Sequence, residues 1–282
     1  MSLVIEHLWK EAGGSVLIED ISLTIVPRAF IALVGPTSSG KTTLLTLLAG
    51  KEPPSRGAVT LDGMAVTEEP TAEGGVVLHR PAVHPQLTVL GNVARGAALQ
   101  AGQVLGRRPD TPLREAGRAQ EAAARALLAE VGLDGAEARY PGELSAAMQA
   151  RLALAQSMML KPRLLLLDEP FGALPPGERE ELDALVTRLW NHWPMTVLLA
   201  TQDLGEAFSL ATRVIALEPP HDAAGAVITR DIEIWPPRVA GQATYYDADV
   251  APEADEGAGM HHVAWAERSG GFAHGAAHVP SR

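Results

Sequence analysis

The sequence predicts an α/β fold around a largely parallel sheet, and three stretches of chain carry that prediction. The apolar, partly β-branched run Phe30–Val34 leads directly into a glycine-containing loop and then into residues 42–49, which have helical spacing. A second apolar run, residues 163–168, ends in acidic residues. Strand-like and helix-like segments then alternate between residues 196 and 217, which is typical of parallel α/β units.

The other elements follow from the same periodicities, taken in chain order. We predict strands at residues 4–6, 21–26, 30–34, 57–61, 75–78, 163–168, 196–200, 213–217 and 226–234. We predict helices at residues 42–49, 114–131, 145–159, 178–190 and 203–210. Residues 88–160 are rich in Ala, Arg, Glu and Leu, so we expect a helical insert there between core segments 1–87 and 161–235. Residues 236–282 are rich in Gly, Ala, acidic residues and His, which predicts a tail of low order.

Composition narrows the function classes. The chain has 282 residues, of which 46% are hydrophobic and 20% charged, as in a globular protein. A net charge of −11 argues against nucleic acid as a partner, because nonspecific binding needs a basic face. The absence of cysteine excludes disulfides, thiol nucleophiles and thiolate metal sites. No apolar run approaches the ~20 residues that cross a bilayer, so we expect a cytoplasmic protein whose membrane role would depend on a partner.

The most specific motif is the loop between the first buried strand and its helix. Residues 35–42 read Gly-Pro-Thr-Ser-Ser-Gly-Lys-Thr, which fits G-x-x-x-x-G-K-[ST]. Gly35 and Gly40 let the backbone N–H groups converge on phosphate oxygens. Lys41 would neutralise the β- and γ-phosphates, and the hydroxyl of Thr42 would bind Mg²⁺. The motif therefore predicts a nucleoside triphosphate as ligand.

The acidic end of the second buried strand supplies the complementary chemistry. Asp168 would reach the sheet edge beside the phosphate loop and hold Mg²⁺ through water, while Glu169 would orient or deprotonate an attacking water. Since neither motif offers an acceptor hydroxyl, hydrolysis is the predicted reaction.

The order of these motifs along the chain resembles that of the ATPase subunit of an ABC transporter. The phosphate loop comes first, then Leu-Ser-x-x-x-Gln-x-Arg at residues 144–151, then Leu-Leu-Leu-Leu-Asp-Glu-Pro-Phe-Gly-Ala-Leu at residues 164–174. The resemblance covers residues 1–235, and residues 214–238 are most similar to the importers of nitrate, sulfonate or taurine. It implies an ABC-type P-loop NTPase core with a mixed or parallel sheet, an antiparallel β subdomain and an inserted helical subdomain.

The resemblance also implies cofactors, partners and location. Such ATPases bind MgATP in head-to-tail dimers, and the residues matching the phosphate loop are Gly35, Thr37, Ser38, Ser39, Gly40, Lys41, Thr42 and Thr43. Ser145 would cap the nucleotide held by the partner subunit. The implied partners are transmembrane permease subunits, a second ATPase subunit and a substrate-binding protein. The chain would lie on the inner face of the cell membrane.

Several positions depart from the family pattern, and they fall within the motifs that would bind and hydrolyse the nucleotide. Ala146 and Ala147 stand where the signature has two glycines. His79 occupies the place of the glutamine that senses Mg²⁺, and Gln202 that of the switch histidine. Pro175 replaces an aspartate.

The adenine-stacking aromatic expected near Ala12 is missing, and Trp9 is a candidate replacement. These departures together predict that the chain binds MgATP but hydrolyses it slowly when it is alone. They also favour a heterodimer over a homodimer. Two alternatives remain open: a non-catalytic regulatory or structural subunit paired with a competent ATPase, and a soluble ABC-type ATPase without a transport role. The candidate permease contact is residues 80–92, with His84, Pro85, Leu87 and Val89 as its members.

Overall fold

The computed structural model describes residues 2–66, 76–79, 83–100, 113–219 and 225–234. These residues contain the strands β1 (Leu3–Ala12), β2 (Ser15–Ile25), β3 (Phe30–Val34), β4 (Arg56–Leu61), β5 (Met64–Ala65), β6 (Val76–His79), β7 (Leu164–Asp168), β8 (Thr196–Thr201), β9 (Arg213–Glu218) and β10 (Val227–Glu233). They also contain the helices α1 (Lys41–Leu48), α2 (Val89–Gln100), α3 (Leu113–Glu130), α4 (Ala146–Met159), α5 (Pro176–His192) and α6 (Leu204–Leu210).

The central sheet has the strand order β10-β9-β3-β8-β7-β6. Strands β9, β3, β8, β7 and β6 run parallel, and β10 pairs antiparallel to β9 at the edge. In register, Val34 lies opposite Thr201 and Asp168 lies opposite Ala200. The carboxyl ends of β3, β7 and β8 therefore meet at one edge of the sheet, where parallel α/β folds bind their ligands.

Alternating side chains of the buried strands enter two hydrophobic clusters on opposite faces of this sheet. Phe30, Ala32 and Val34 of β3 pack with the helices α4 and α5. Ile31 and Leu33 of the same strand pack instead with α1 and with the second sheet. The continuous apolar character of β3 thus reflects burial on both faces.

The second sheet is antiparallel, with the order β2-β1-β4-β5. Its strands β1 and β2 are longer than the predicted strands at 4–6 and 21–26, and the predicted loop at 11–15 is a tight turn at Gly13 and Gly14. Polar side chains on the solvent side and register shifts along β1 interrupt the apolar alternation. Those interruptions explain why the periodicity found only part of each strand.

Three helices, α2 to α4, lie in sequence between β6 and β7 and pack on one another. Helix α2 was missing from the predicted elements, whereas α3 and α4 match the predicted helices at 114–131 and 145–159 closely. The α/β fold class with two sheets and an inserted helical part is confirmed. The predicted boundary after residue 235 stays a prediction, because residues 235–282 lie outside the described residues. No helix in the described ranges is long and apolar enough to cross a membrane.

Candidate nucleotide-binding site

A cavity of about 520 Å³ opens at the edge where β3, β7 and β8 end. It is lined by the phosphate loop, by the acidic end of β7, by the start of the β8–α6 connection, by part of β2 and by residues that follow β9 and precede β10. The lining residues are Val16, Leu17, Thr37, Ser38, Ser39, Gly40, Lys41, Thr42, Thr43, Asp168, Glu169, Gln202, Pro219, Gly225 and Ala226. The tertiary fold therefore brings most of the predicted site residues to one cavity.

The loop after β3 requires glycine at two positions. A Cβ on Gly35 would stand 2.2 Å from the carbonyl oxygen of Leu217 and 2.5 Å from the Oγ of Ser39. Gly40 has a φ of 80° immediately before α1, in the left-handed region that glycine adopts without strain. The loop consequently curls tightly and directs the first turn of α1 toward the cavity, where backbone N–H groups favour an anion.

The ammonium group of Lys41 is held within this loop. Its Nζ donates to the carbonyl oxygens of Gly35 at 2.8 Å and Pro36 at 2.9 Å, and lies 3.8 Å from Oε1 of Glu169. Burial lowers the pKa of Lys41, while the charges of Glu169 and Asp168 act in the opposite direction. The two carboxylates therefore help to keep a largely buried cation charged.

Ser39 has an unsatisfied hydroxyl in the same loop. Its side chain is buried, and the Oγ has no hydrogen-bond partner among the described residues. A buried polar atom without a partner is costly unless another group satisfies it. Together with the loop N–H groups and Lys41, this donor fits a phosphate.

The acidic side of the cavity carries oxygen atoms suited to a hard cation. The hydroxyl of Thr42 donates to Oδ1 of Asp168 at 3.1 Å, so the helix start and the end of β7 contact each other here. Carboxylate and hydroxyl oxygens are the protein ligands that Mg²⁺ prefers. The donor set on this side therefore fits Mg²⁺ beside a phosphate.

Glu169 follows Asp168 in a strained conformation. Its φ is 43°, which is uncommon for a residue with a side chain, and its N–H donates to the carbonyl oxygen of Ala200 at 2.9 Å. That bond to β8 helps to hold the turn. Residues kept in such conformations cluster at functional sites.

Gln202 joins the two halves of the cavity. Its Nε2 donates to Oε1 of Glu169 at 2.7 Å, and its Oε1 accepts from the hydroxyl of Thr37 at 3.2 Å. A single amide thus bridges the phosphate loop and the carboxylate predicted to act on water. Sequence reasoning placed Gln202 at the site but did not anticipate its contact with Glu169.

The sequence pattern of the ABC transporter family matches residues 18–172, more than half of the chain and all of the phosphate loop and the acidic strand end. The chain belongs to the ABC transporter family.

Its relatives include taurine import ATP-binding proteins. The chain is 38% identical over 217 residues to the taurine import ATP-binding protein TauB of Escherichia coli O157:H7, covering 77% of this chain and 80% of the relative. It is also 38% identical over 215 residues to TauB of Escherichia coli strain K12, covering 76% of this chain and 79% of that protein. The predicted similarity to the nitrate, sulfonate and taurine group is confirmed.

Solved ABC cassettes share the fold. An ATP-binding cassette of an ABC transporter in its ADP conformation superposes with a TM-score of 0.69 at 20% identity, covering 83% of this chain and 91% of that one. A bacterial ABC transporter cassette, solved as a dimer, superposes with a TM-score of 0.64 at 22% identity, covering 82% and 98% of the two chains.

The ABC signature segment lies on a different surface from the cavity. Ser145 is the N-cap of α4, where its Oγ accepts from the N–H of Met148 at 3.2 Å, and its side chain is exposed. Ala146 and Ala147 form the first turn of the helix. None of the three is among the described residues that line the cavity, and the role of Ser145 in capping a nucleotide stays a prediction.

Two other ABC motif positions are placed by the backbone. His79 ends β6 opposite Leu167, so it lies one strand away from the sheet position just before Asp168. Nothing is described of its side chain, and its role as a Mg²⁺ ligand stays a prediction. Pro175 immediately precedes α5 as its N-cap residue, and its side chain offers no capping hydrogen bond.

The structure does not bring Trp9 to the cavity. The ring lies 5.4 Å below the guanidinium of Arg56, its partner across the β1–β4 pair, and is not among the described lining residues. Val16 and Leu17 of β2 line the cavity instead, and Leu17 is 38% exposed. The sequence does contain a signal for Leu17. Leu17 and Ile18 are consecutive apolar residues on a strand, so one of them must face away from the core.

Proposed function

We propose that the chain is the ATP-binding subunit of an ABC importer, which binds MgATP and couples its binding and hydrolysis to transport. The observation that carries the proposal is the convergence of Lys41, the Thr42–Asp168 pair and Glu169 on one cavity. The import function is supported by the relatives, which are named taurine import ATP-binding proteins and of which the chain covers four fifths. A taurine-like sulfonate is the substrate class that these names favour.

The phosphates would bind to the loop. Lys41 would exchange its two carbonyl contacts for phosphate oxygens, and the unsatisfied hydroxyl of Ser39 would donate to the same group. Thr42 and Asp168 would hold Mg²⁺, with His79 at the adjoining strand end as a further candidate. The ion, when bound, would neutralise charge on the β- and γ-phosphates.

Glu169 and Gln202 would act on the attacking water. Glu169 would orient the water and accept its proton. In the present arrangement the amide of Gln202 donates to that carboxylate at 2.7 Å and so occupies one of the oxygen atoms that would contact the water. An amide can donate a hydrogen bond to the γ-phosphate, but it cannot carry a proton as a histidine does. Slow turnover by the lone chain follows from this contact.

The partner subunit would complete the site. Ser145 lies exposed at the start of a 14-residue helix, which is suited to capping a γ-phosphate held by a second cassette. The methyl groups of Ala146 and Ala147 stand in the first turn, where close approach of a phosphate favours glycine. We therefore infer a head-to-tail dimer, and more specifically a heterodimer with an ATPase subunit that has a more regular signature.

Transport requires a membrane partner, and the loop before α2 is the proposed contact. Pro85 is exposed and His84 and Leu87 are half-buried, so these side chains can reach a permease. Val89 is fully buried at the start of α2 and packs in the core. The earlier expectation that Val89 contacts the partner is corrected accordingly. A substrate-binding protein and a position on the inner face of the membrane belong to the same proposal.

The test separates binding from hydrolysis. Purified chain should bind ATP in a Mg²⁺-dependent manner and turn it over below the range of ~1–100 s⁻¹ that is usual for phosphoryl-transfer enzymes. Asp168→Asn should weaken the response to Mg²⁺, whereas Glu169→Gln should retain binding and lose turnover. Absence of ATP binding would refute the proposal. An unchanged transport rate of the assembled Glu169→Gln complex would instead favour a non-catalytic subunit.

A further inference from the structure

A second cavity, of about 200 Å³, shares Glu169 and Gln202 with the nucleotide cavity. It is enclosed by the segment that follows Glu169, by the β8–α6 connection and by α5. Its lining residues are Glu169, Phe171, Gly172, Arg179, Thr201, Gln202, Asp203 and Glu206. Charged side chains on two helices thus lie next to the residues proposed to act on water.

Both chain neighbours of Gln202 are held by side-chain hydrogen bonds. The hydroxyl of Thr201 donates to Oε2 of Glu206 and accepts from the N–H of Asp203 at 3.0 Å. The carboxylate of Asp203 caps α6 by accepting from the N–H of Glu206 at 3.2 Å. Through Thr201, the Glu206 side chain therefore helps to hold the backbone on both sides of Gln202.

Arg179 connects this segment to the one that follows Glu169. Its guanidinium donates to the carbonyl oxygens of Gly172 at 3.3 Å and Leu174 at 3.4 Å, and to Oδ2 of Asp203 at 3.5 Å. These are long bonds, and its Nε is buried without a partner within the described residues. The guanidinium is thus shared weakly between two carbonyl groups and one carboxylate.

One helical turn after Arg179, Asp183 contacts Glu206 across the α5–α6 packing. Its carboxyl group lies within reach of that of Glu206, and its Oδ1 is buried with no partner in the described part of the chain. Two carboxyl groups in hydrogen-bond contact need a proton between them, since neither can donate when both are ionised. The charged groups that face the pair are Arg179 from α5 and Asp203 from the start of α6.

We propose that Asp183 and Glu206 share one proton and thereby position Gln202 for ATP hydrolysis, so that the reaction is linked to pH. With the proton present, Glu206 stays bonded to Asp183 and Thr201, and Arg179 stays on the carbonyl groups. Loss of the proton makes the carboxylates repel and draws Arg179 toward them, which releases Gly172 and Leu174 and shifts Thr201 and Gln202. Asp183, Glu206 and Arg179 act as positioning residues. The reaction step rests on the function proposed above.

The burial and proximity of the two carboxyl groups affect their pKa values. Burial, then the charge and hydrogen bond of Glu206, raise the pKa of Asp183 to about 7, and burial also raises the pKa of Glu206. The folded protein therefore binds the proton more tightly than the unfolded chain does. The stabilisation is complete below about pH 4, where an unfolded aspartate is itself protonated, and is lost as the pH rises through the folded pKa near 7.

The first test measures stability without nucleotide. The unfolding midpoint of the wild type should fall between pH 5 and pH 8, and Asp183→Asn should remove most of that fall, because its amide donates to Glu206 at every pH. Glu206→Gln should flatten the profile likewise. Glu180→Gln, at an exposed position of the same helix, is the control and should keep the wild-type profile. Equal pH profiles in wild type and both carboxyl variants would overturn the shared proton.

The second test measures the position of Gln202 directly. The side-chain amide signals of Gln202, assigned by their loss in Gln202→Ala, should shift in NMR spectra with a midpoint near pH 7 in the wild type and stay constant in Asp183→Asn. A stability profile that depends on Asp183 with constant Gln202 signals would overturn the positioning role. Neither the unfolding midpoint nor the Gln202 signals require ATP. A failure to bind ATP would therefore refute the proposed function, whereas the shared proton and the position of Gln202 are decided by these two measurements.

Discussion

The amide of Gln202 donates to the carboxylate of Glu169 at 2.7 Å, and the same side chain accepts from Thr37 of the phosphate loop. This bridge couples the residue expected to activate water to the loop expected to hold the γ-phosphate. The amide keeps one further N–H that could donate to a phosphate, but unlike a histidine it cannot carry a proton away from Glu169. The bridge is therefore the structural basis for expecting binding without efficient turnover.

Replacing Gln202 with histidine should raise ATP turnover. An imidazole can both donate to the γ-phosphate and carry a proton, which the amide of Gln202 cannot do. We expect an increase in kcat toward the ~10²–10⁴-fold that a positioned acid–base group supplies, with ATP affinity little changed. Steady-state kinetics measures this, and Thr37→Val is the matched control, since it frees only the other end of the bridge. A kcat equal to wild type would argue against Gln202 as the limiting group.

Removing the Lys41 ammonium should weaken ATP binding. A charge-assisted hydrogen bond contributes ~1.5–3 kcal/mol, which corresponds to a loss of roughly 10- to 150-fold in affinity for Lys41→Ala. Fluorescent nucleotide titration measures it, and Arg188→Ala, an exposed cation on α5, serves as control. Wild-type affinity in Lys41→Ala would mean that the phosphates bind elsewhere.

Restoring glycine in the first turn of α4 should strengthen ATP-dependent dimerisation. Ala146→Gly combined with Ala147→Gly removes two methyl groups beside Ser145, at a cost of ~1 kcal/mol of helix stability per residue. In a Glu169→Gln background, sedimentation in MgATP should show more dimer. Ala150→Gly, further along the same helix, should lower stability without increasing dimer. If both changes behave alike, the methyl groups do not limit the interface.

Replacing Asn92 should destabilise the proposed permease contact. Its buried side chain accepts from the N–H of His84 at 2.8 Å and donates to the carbonyl oxygens of His84, Leu87 and Thr88 at 3.0–3.1 Å. Asn92→Ala leaves these groups unsatisfied, so the free energy of unfolding should fall by about 2–3 kcal/mol, measured in urea.

Arg95→Ala, at an exposed position on the same helix, is the control for that loss. Binding to permease-containing vesicles should weaken in Asn92→Ala and stay unchanged in Arg95→Ala. A stable Asn92→Ala variant would show that the loop holds its shape without this side chain.

The local motifs could be predicted because each is set by neighbouring residues. The phosphate loop needs glycine where a Cβ would contact the chain, and β3 and β7 are apolar because both of their faces are buried. Each of these requirements involves only a short, contiguous stretch of sequence, so it can be recognised without the fold. The long strands β1 and β2 were found only in part, because bulges and a solvent-exposed face disrupt their periodicity.

By itself, then, the sequence was enough to predict the parallel core and a nucleotide site, with Lys41, Thr42, Asp168 and Glu169 as its candidate residues. Only the tertiary structure decided that Trp9 packs under Arg56 while Leu17 lines the cavity, and that Gln202 bonds to Glu169. It alone showed Asp183 against Glu206. The physical reason is that these contacts join residues on different elements, whose register and packing are set by the whole core and by no local pattern.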